Sequence, residues 1–305
     1  MVSRILVTGS NGLLGTKLLE RLLEDREAEP LAASRGERAN GYLGPLSFWR
    51  LDVTDRPAVE RLLDETRPDA VIHTAALTDV DGAERLRDEA RAINVDGAAN
   101  VAGACAARAL HLVQLSTEYV FDGTSGPYGE DDPTAPLGWY AQTKHAGEQA
   151  VRAAGGSWTI ARTTVLYGYA PHVRANFVLW LLGKLRAGER ATVVEDQIGS
   201  PTLADNLAEM VLALATARAR GVYNTVGGTV LSRYAFARLA AETFGLDPAL
   251  VVPIPTASLD QPAPRPLRAG LKMDRFRQAF PSVPVLSAAE GLARLREQLR
   301  AGGIV

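Results

Sequence analysis

The chain has 305 residues, enough for one large α/β domain or for a dinucleotide-binding domain with a smaller companion. Apolar residues make up 47% and charged residues 22%, and 33 basic against 35 acidic side chains leave a formal charge of −2, which gives no general attraction to nucleic acid or an anionic membrane. The single cysteine, Cys105, excludes an internal disulfide. The amino terminus runs into an apolar strand with no separate cleavable segment, and no apolar run approaches the roughly 20 residues of a membrane span, so a cytoplasmic protein is expected.

Taken in chain order, short apolar runs alternate with helix-period segments through about residue 165, the pattern of βα units and a parallel sheet. RILVTG predicts a buried strand, followed by a helix over 13–25 and short strands at PLAAS and LSFWRLD. Thr54 is expected to cap a helix that has Pro57 in its first turn and ends near Arg67. DAVIHTAA predicts the fourth strand, 81–108 a helix with few breakers, LHLVQLS the fifth strand and WTIART the sixth. Alternation then stops. A helix over 176–186, a TVV strand, a helix over 204–217, a strand at GVYNT, a helix over 233–244 and a proline-rich wrapped loop complete the carboxyl third. The expected fold is a Rossmann-type doubly wound sheet, residues 1–165, with a smaller interleaved substrate domain, mainly residues 166–305, some of whose segments return to the sheet.

Gly9, Gly12 and Gly15 form GxxGxxG between the first strand and the first helix. Glycines there permit a tight turn and let backbone N–H groups approach a pyrophosphate at the positive helix end. The second strand ends in Ser34-Arg35 rather than in the carboxylate that holds the ribose hydroxyls of NAD. A guanidinium can instead pair with a 2′-phosphate, which favours NADPH, with NADH admissible; a solvated loop arginine is the alternative. Asp52 is either an acceptor for the adenine amino group or the first residue of a turn before Thr54.

YAQTK puts Tyr140 and Lys144 four residues apart, on one face of a helix that begins after PLGW. With eight tyrosines and four lysines, chance supplies about 0.1 such pairs. A nearby ammonium is expected to lower the phenol pKa toward working pH, which suits a proton donor to a carbonyl that receives hydride. STEYVFDG begins where the fifth strand ends, and strand carboxyl ends are where open α/β sheets bind ligands. The alternative for the Thr117 hydroxyl is a strand-end group bonded to its own backbone. His73, His111, His145 and His172 lack ligand spacing, so no metal site is expected; Cys105 reads as a packing residue and GEDDP as a solvated loop.

TGSNGLLG, TAALTDVD, INVDGAANVA, STEYVFDG and YAQTK, in this order and spacing, resemble the extended short-chain dehydrogenase/reductase family. GPYGEDDPTAPLGWY, NFV, VVEDQIGSPT and PRP narrow the resemblance to its dTDP-4-dehydrorhamnose reductase group. The resemblance implies NADPH-dependent reduction of the 4-keto group of a nucleotide-linked 6-deoxy sugar, with Thr117 bonding the substrate carbonyl, Tyr140 donating the proton and Lys144 orienting the nicotinamide ribose. It extends the cofactor site to Asn11, Leu13 and Leu14 beside the glycines, Val53 beside Asp52, and Thr74, Ala75 and Ala76 after the fourth strand. It assigns Glu118, Tyr119, Asn176, Phe177, Gln197 and Arg265 to the sugar nucleotide. The chain departs from the group's pattern at Glu118, where aspartate is usual, in RTTVLYG, which lacks the usual tryptophan, and at Ala269, where serine is frequent. An epimerase or dehydratase on the same fold is the related alternative, although Glu118 is followed by Tyr119 rather than by a second carboxylate. A cofactor-binding regulatory subunit is the non-enzyme alternative, because the accessory subunit of some methionine adenosyltransferases resembles the same group. The expected partner is a small nucleotide sugar, not nucleic acid or a membrane, and a homodimer is admissible.

Overall fold

RILVTG does form a buried strand, one of seven paired in parallel. The structure, a computed structural model, describes residues 3–25 and 28–304. Strands β1 (Ser3–Thr8), β2 (Ala28–Ser34), β3 (Ser47–Arg50), β4 (Ala70–His73), β5 (His111–Thr117) and β6 (Ser157–Thr163) alternate with α1 (Leu13–Asp25), α2 (Arg56–Thr66), α3 (Val80–Arg85), α4 (Arg87–Arg91), α5 (Ala98–Ala107) and α6 (Trp139–Ala154). Beyond β6 come β7 (Leu166–Tyr167), α7 (Phe177–Arg186), β8 (Ala191–Val194), β9 (Ile198–Gly199), β10 (Thr202–Leu203), α8 (Ala204–Thr216), β11 (Gly221–Asn224), β12 (Leu231–Ser232), α9 (Arg233–Thr243), β13 (Val251–Ile254), α10 (Asp274–Ala279) and α11 (Ala288–Ala301).

The sheet order is β11-β6-β5-β4-β1-β2-β3, so the winding reverses between β1 and β4 and opens a crevice beyond their carboxyl ends. Both faces of the sheet are covered, which is why β4 and β5 are buried at every residue. On one face Leu18, Leu19 and Leu22 of α1 pack with Leu207, Val211 and Leu214 of α8. On the other, Leu62 and Leu63 of α2 meet Val101 and Cys105 of α5. Thus α8 and β11 return to the sheet, while α7, α9 and α11 enclose a separate core around Tyr167, Phe236 and Leu292.

Local differences from the sequence reading have tertiary causes. The side chain of Asp55, not Thr54, caps α2 by accepting from the Ala58 N–H at 3.0 Å, because Asp52 already holds the Thr54 N–H and hydroxyl. The helix expected over 81–108 breaks at Leu86 and passes through a π-helical turn at Ala92–Gly97. Glu84 there accepts from the Trp139 N–H at 2.6 Å and the Trp139 indole donates to the Arg87 carbonyl, so contacts with the start of α6 outweigh local helix propensity. The π turn presents Asn94, whose amide donates to the Leu77 carbonyl and to Thr143 of α6, both at 3.1 Å.

Gly147 lets α6 approach that turn, since a Cβ at this position would collide with the Asn94 carbonyl oxygen. Glycine to alanine inside a helix normally stabilises by up to about 1 kcal/mol. Here the sign should reverse: Gly147→Ala is expected to lower unfolding free energy by about 1–3 kcal/mol, the scale of overpacking. Urea unfolding checks this as a lower midpoint at unchanged slope; a raised midpoint would mean that α6 can shift freely.

Candidate active site

The glycine turn closes on itself. Gly9 has φ of 71°, and a Cβ there would stand 2.6 Å from the Ala75 nitrogen and 2.7 Å from Thr74 Oγ1. A Cβ on Gly15 would meet the Gly9 carbonyl oxygen at 2.5 Å, whereas Gly12 is exposed, its N–H donating to the Gly9 carbonyl at 2.9 Å. The first turn of α1, from Leu13 and the buried Leu14, therefore presents backbone N–H groups beside an open surface, a fit for a pyrophosphate. Asn11 is committed elsewhere: it donates to the Glu37 carbonyl at 2.8 Å and accepts from the Ala39 N–H at 3.0 Å, which ties the following loop to the turn. Thr74 donates to the Thr8 carbonyl at 2.7 Å, and Ala75 and Ala76 run half-exposed along the crevice.

Arg35 follows β2 with its side chain 66% exposed and only a 3.4 Å contact to Glu89. Arg50, which sequence reasoning passed over, lies in register with Ser34 on the adjoining strand and pairs with Glu37 at 3.0 Å. The strand pairing is its signal. The Asp52 carboxylate accepts from the Thr54 N–H and hydroxyl at 2.9 and 2.8 Å, the turn role, and these bonds with the nearby Arg35 charge hold it below the usual carboxylate range. Val53 is buried against Gly97.

Thr117 ends β5, and its Oγ1 accepts the Tyr119 N–H at 3.2 Å, leaving its own proton free. The Tyr140 phenol faces this hydroxyl, and the Tyr119 ring meets the Tyr140 ring edge-on at 5.7 Å. Lys144 Nζ donates to the Leu115 carbonyl at 2.7 Å. Burial pushes the Lys144 ammonium down to about 8, against the nearby Glu148 charge, and pushes the Tyr140 phenol up, with Thr117 offsetting part of the rise. The expected lowering of the phenol by Lys144 is thus not found. Loss of hydration dominates at both groups, and the ammonium is turned to a backbone carbonyl.

Beside Glu118 and Tyr119, the two residues that follow Thr117, lies a cavity with roughly 430 Å³ of empty space, part of it open to solvent, walled by Val165, Phe177, Ile198, Pro201, Phe236 and Ala269. Its polar groups are Glu118, Tyr119, Gln197 and Arg233. Glu118 is 4% exposed and its Oε2 has no hydrogen-bond partner; burial raises its carboxyl well above the ordinary range, with Arg233 opposing. Gln197 donates to Thr256 at 3.1 Å and Phe177 opens α7, so both reach the cavity. Asn176 instead caps α7 and donates to the Gly168 carbonyl at 2.6 Å. Arg265 is engaged bidentately by Asp81 at 2.9 and 2.7 Å and lies outside the cavity wall. The guanidinium in the wall is that of Arg233, 5.1 Å over the Phe177 ring and, among the described residues, without an ion-pair partner. Nothing in LSRYAF separates it from an ordinary first-turn helix arginine. Among the described residues no cluster of three or more metal-ligating side chains occurs, and no helix is long and apolar enough to cross a membrane.

The state of Glu118 has a measurable consequence. Its carboxyl is raised in the fold, so as pH climbs above the unfolded value of about 4.3 the unfolded chain releases a proton that the folded chain keeps, and stability falls. Glu118→Gln keeps the shape and cannot titrate. The stability of the parent chain relative to this variant is expected to decline from pH 4 toward neutrality, measured by urea unfolding across that range; a difference independent of pH would mean that the carboxyl titrates alike in the folded and unfolded chains.

The family described as RmlD substrate binding domain matches residues 3–299. A dTDP-4-dehydrorhamnose reductase of Mycobacterium tuberculosis is 40% identical over 270 residues, covering 86% of this chain and 82% of its own. A dTDP-4-keto-6-deoxy-D-glucose reductase of Streptomyces niveus is 36% identical, covering 92% of each chain. Among solved structures, dTDP-4-dehydrorhamnose reductase from Bacillus anthracis in complex with NADP superposes with a TM-score of 0.87 at 32% identity, over 98% of this chain and 100% of that one. With the matched region spanning nearly the whole chain and both cores, the chain belongs to the RmlD substrate binding domain family of nucleotide-sugar reductases.

Proposed function

We propose that the chain reduces the 4-keto group of a dTDP-linked 6-deoxy sugar, of the dTDP-4-dehydrorhamnose type, with NADPH as the preferred nicotinamide cofactor. The observation that carries this reading is the Tyr140 phenol facing the Thr117 hydroxyl at the carboxyl end of β5, directly before Glu118 and Tyr119, which line a largely apolar cavity. The turn at Gly9, Gly12 and Gly15 and the first N–H groups of α1 hold the pyrophosphate, and Arg35, with Arg50, meets the 2′-phosphate. When bound there, the cofactor supplies hydride to the carbonyl carbon.

Tyr140 Oη transfers its proton to the carbonyl oxygen while Thr117 Oγ1 donates a hydrogen bond to the same atom, so both stabilise charge where it develops. Burial keeps the phenol protonated, as a donor must be. The tyrosinate left behind is costly in a buried site, and the hydrogen bond from the Thr117 hydroxyl offsets part of that cost. The apolar wall of the cavity suits a deoxy sugar, Glu118 and Gln197 meet its remaining oxygens, and Arg233 meets the diphosphate. Tyr119 closes the cavity against the Tyr140 ring.

Offering NADPH with a panel of nucleotide-linked 4-keto sugars, and following cofactor oxidation and product identity, tests the reading. Tyr140→Phe keeps the ring and removes the proton, so turnover should fall by about 10²-fold or more while NADPH binding persists. Binding without turnover across the panel by the parent chain would favour the regulatory alternative. Cofactor choice is tested separately: Arg35→Ala is expected to weaken NADPH by about 1.5–3 kcal/mol and leave NADH almost unchanged, whereas equal loss for both would assign Arg35 to the loop.

A further inference from the structure

Tyr140 and Lys144 are the first two of three residues spaced by four on one face of α6; the third is Glu148, whose side chain has no solvent exposure. These three meet the last three residues of β5. The Tyr140 phenol faces Thr117, Lys144 Nζ donates to the Leu115 carbonyl at 2.7 Å, and Ser116 Oγ donates to Glu148 Oε1 at 2.6 Å. Arg162, in register with Ser116 on β6, completes the arrangement, its Nε donating to Glu148 Oε1 at 2.9 Å and its Nη2 to Oε2 at 2.8 Å. The remaining arm of Arg162 donates to the Glu130 carbonyl at 3.1 Å, and its guanidinium stands 5.1 Å over the Phe121 ring.

Taking a carboxylate and a guanidinium fully out of water is expensive, and apolar side chains of similar volume often serve stability as well or better. What an apolar pair cannot supply is direction. Three short bonds to one carboxylate fix both the depth and the rotation of α6 on β5, and Ser116 precedes the Thr117 hydroxyl by a single residue. We propose that Glu148, clamped by Arg162, is a positioning residue for the reaction: it sets the register of α6 against β5 so that the Tyr140 and Thr117 hydroxyls address one substrate oxygen.

A second consequence is electrostatic. Three ionisable groups neighbour Lys144: Tyr140 and Glu148 on its own helix face and His73 on β4. Burial holds His73 neutral, pushed down to about 3, with Lys144 adding to that shift. Glu148 itself faces Arg162, Ser116 and, at 4.0 Å, Arg152. Glu148 is therefore the charge that supports the Lys144 ammonium against burial.

The proposal rests on Tyr140 and Thr117 being the reacting pair, and its tests separate the two ideas. Glu148→Gln keeps a similar shape and the Ser116 contact but loses the charge and the Arg162 clamp. It is expected to reduce kcat at least tenfold, since misplacement by about 1 Å costs on the order of 10² in rate, with KM for the keto sugar and Kd for NADPH changed less than about threefold. Should that variant fold poorly, Glu148→Leu with Arg162→Met replaces the pair by apolar groups; it should keep Tm and NADPH affinity and still lose kcat tenfold or more. Parent-like kcat in a folded double variant overturns the positioning role. A readout that needs no turnover is the titration of Lys144 by NMR with 13C-labelled lysine, practicable because the chain has four lysines. The Lys144 transition should move lower in Glu148→Gln than in the parent chain, and an unmoved transition overturns the electrostatic part. Failure of the parent chain to reduce any keto sugar, with the Lys144 shift present, would instead discard the reductase reading.

Discussion

A buried carboxylate must be paired, and the way Glu148 is paired determines how the rest of the site can be built. Its partners come from β5 and β6, two adjacent central strands, so α6 is fixed to the sheet through polar contacts at the carboxyl edge as well as through packing. One residue before Glu148 on the same helix, Gly147 removes the Cβ that would hold α6 away from the π turn, and Asn94 then ties that turn to Thr143 and to the segment leaving β4. Sheet, π turn and catalytic helix thereby form one bonded unit around the end of β5. The hydroxyl of Thr117 inherits its position from that unit, as does the phenol of Tyr140.

Burial also sets the charge states. Lys144 is lowered, Tyr140 and Glu118 are raised, and His73 is held neutral, so three of these four buried groups are driven to uncharged forms and only the ammonium, supported by Glu148, holds charge near neutrality. Permanent cations lie at the two ends of the crevice instead: Arg35 and Arg50 past the edge of β2 and β3, and Arg233 in the cavity wall. A chain of net charge −2 therefore still presents guanidinium groups locally, while most of the buried groups between them are driven toward uncharged forms.

Much of this was legible in the sequence because spacing carries geometry. Glycines at 9, 12 and 15 between an apolar run and a helix, and a tyrosine four residues before a lysine, each imply a local shape that tertiary structure did not alter. What could not be read is what depends on neighbours from distant segments. The direction of the Tyr140 shift depends on how completely β5 and Tyr119 bury the ring, and the loss of Arg265 to Asp81 joins residues 184 positions apart. Arg233 enters the cavity because β9 and β12 pair antiparallel, which sets the start of α9 against Gln197 through the Arg233 N–H to Gln197 carbonyl bond of 2.9 Å. The break at Leu86 has the same origin, since it exists to receive Trp139, which no local propensity contains.

Glu118 shows how these layers combine in specificity. An aspartate, usual here in the resembling group, would end one methylene short of where the Glu118 carboxyl stands, about 3.6 Å from the position a Cβ on Gly199 would take. Aspartate would therefore leave more room above Gly199 and place its oxygens nearer to β5. Burial raises the Glu118 carboxyl and its Oε2 has no partner, so the group stands as an unsatisfied polar atom beside the apolar wall. A sugar oxygen that meets it satisfies an otherwise unpaired buried atom, while a sugar with a hydrogen in that place leaves the atom unpaired at a cost of about 1–3 kcal/mol. The cavity beside Glu118 thus sets the apolar side chains of Phe177, Ile198 and Phe236 around a buried carboxyl oxygen that, among the described residues, has no bond.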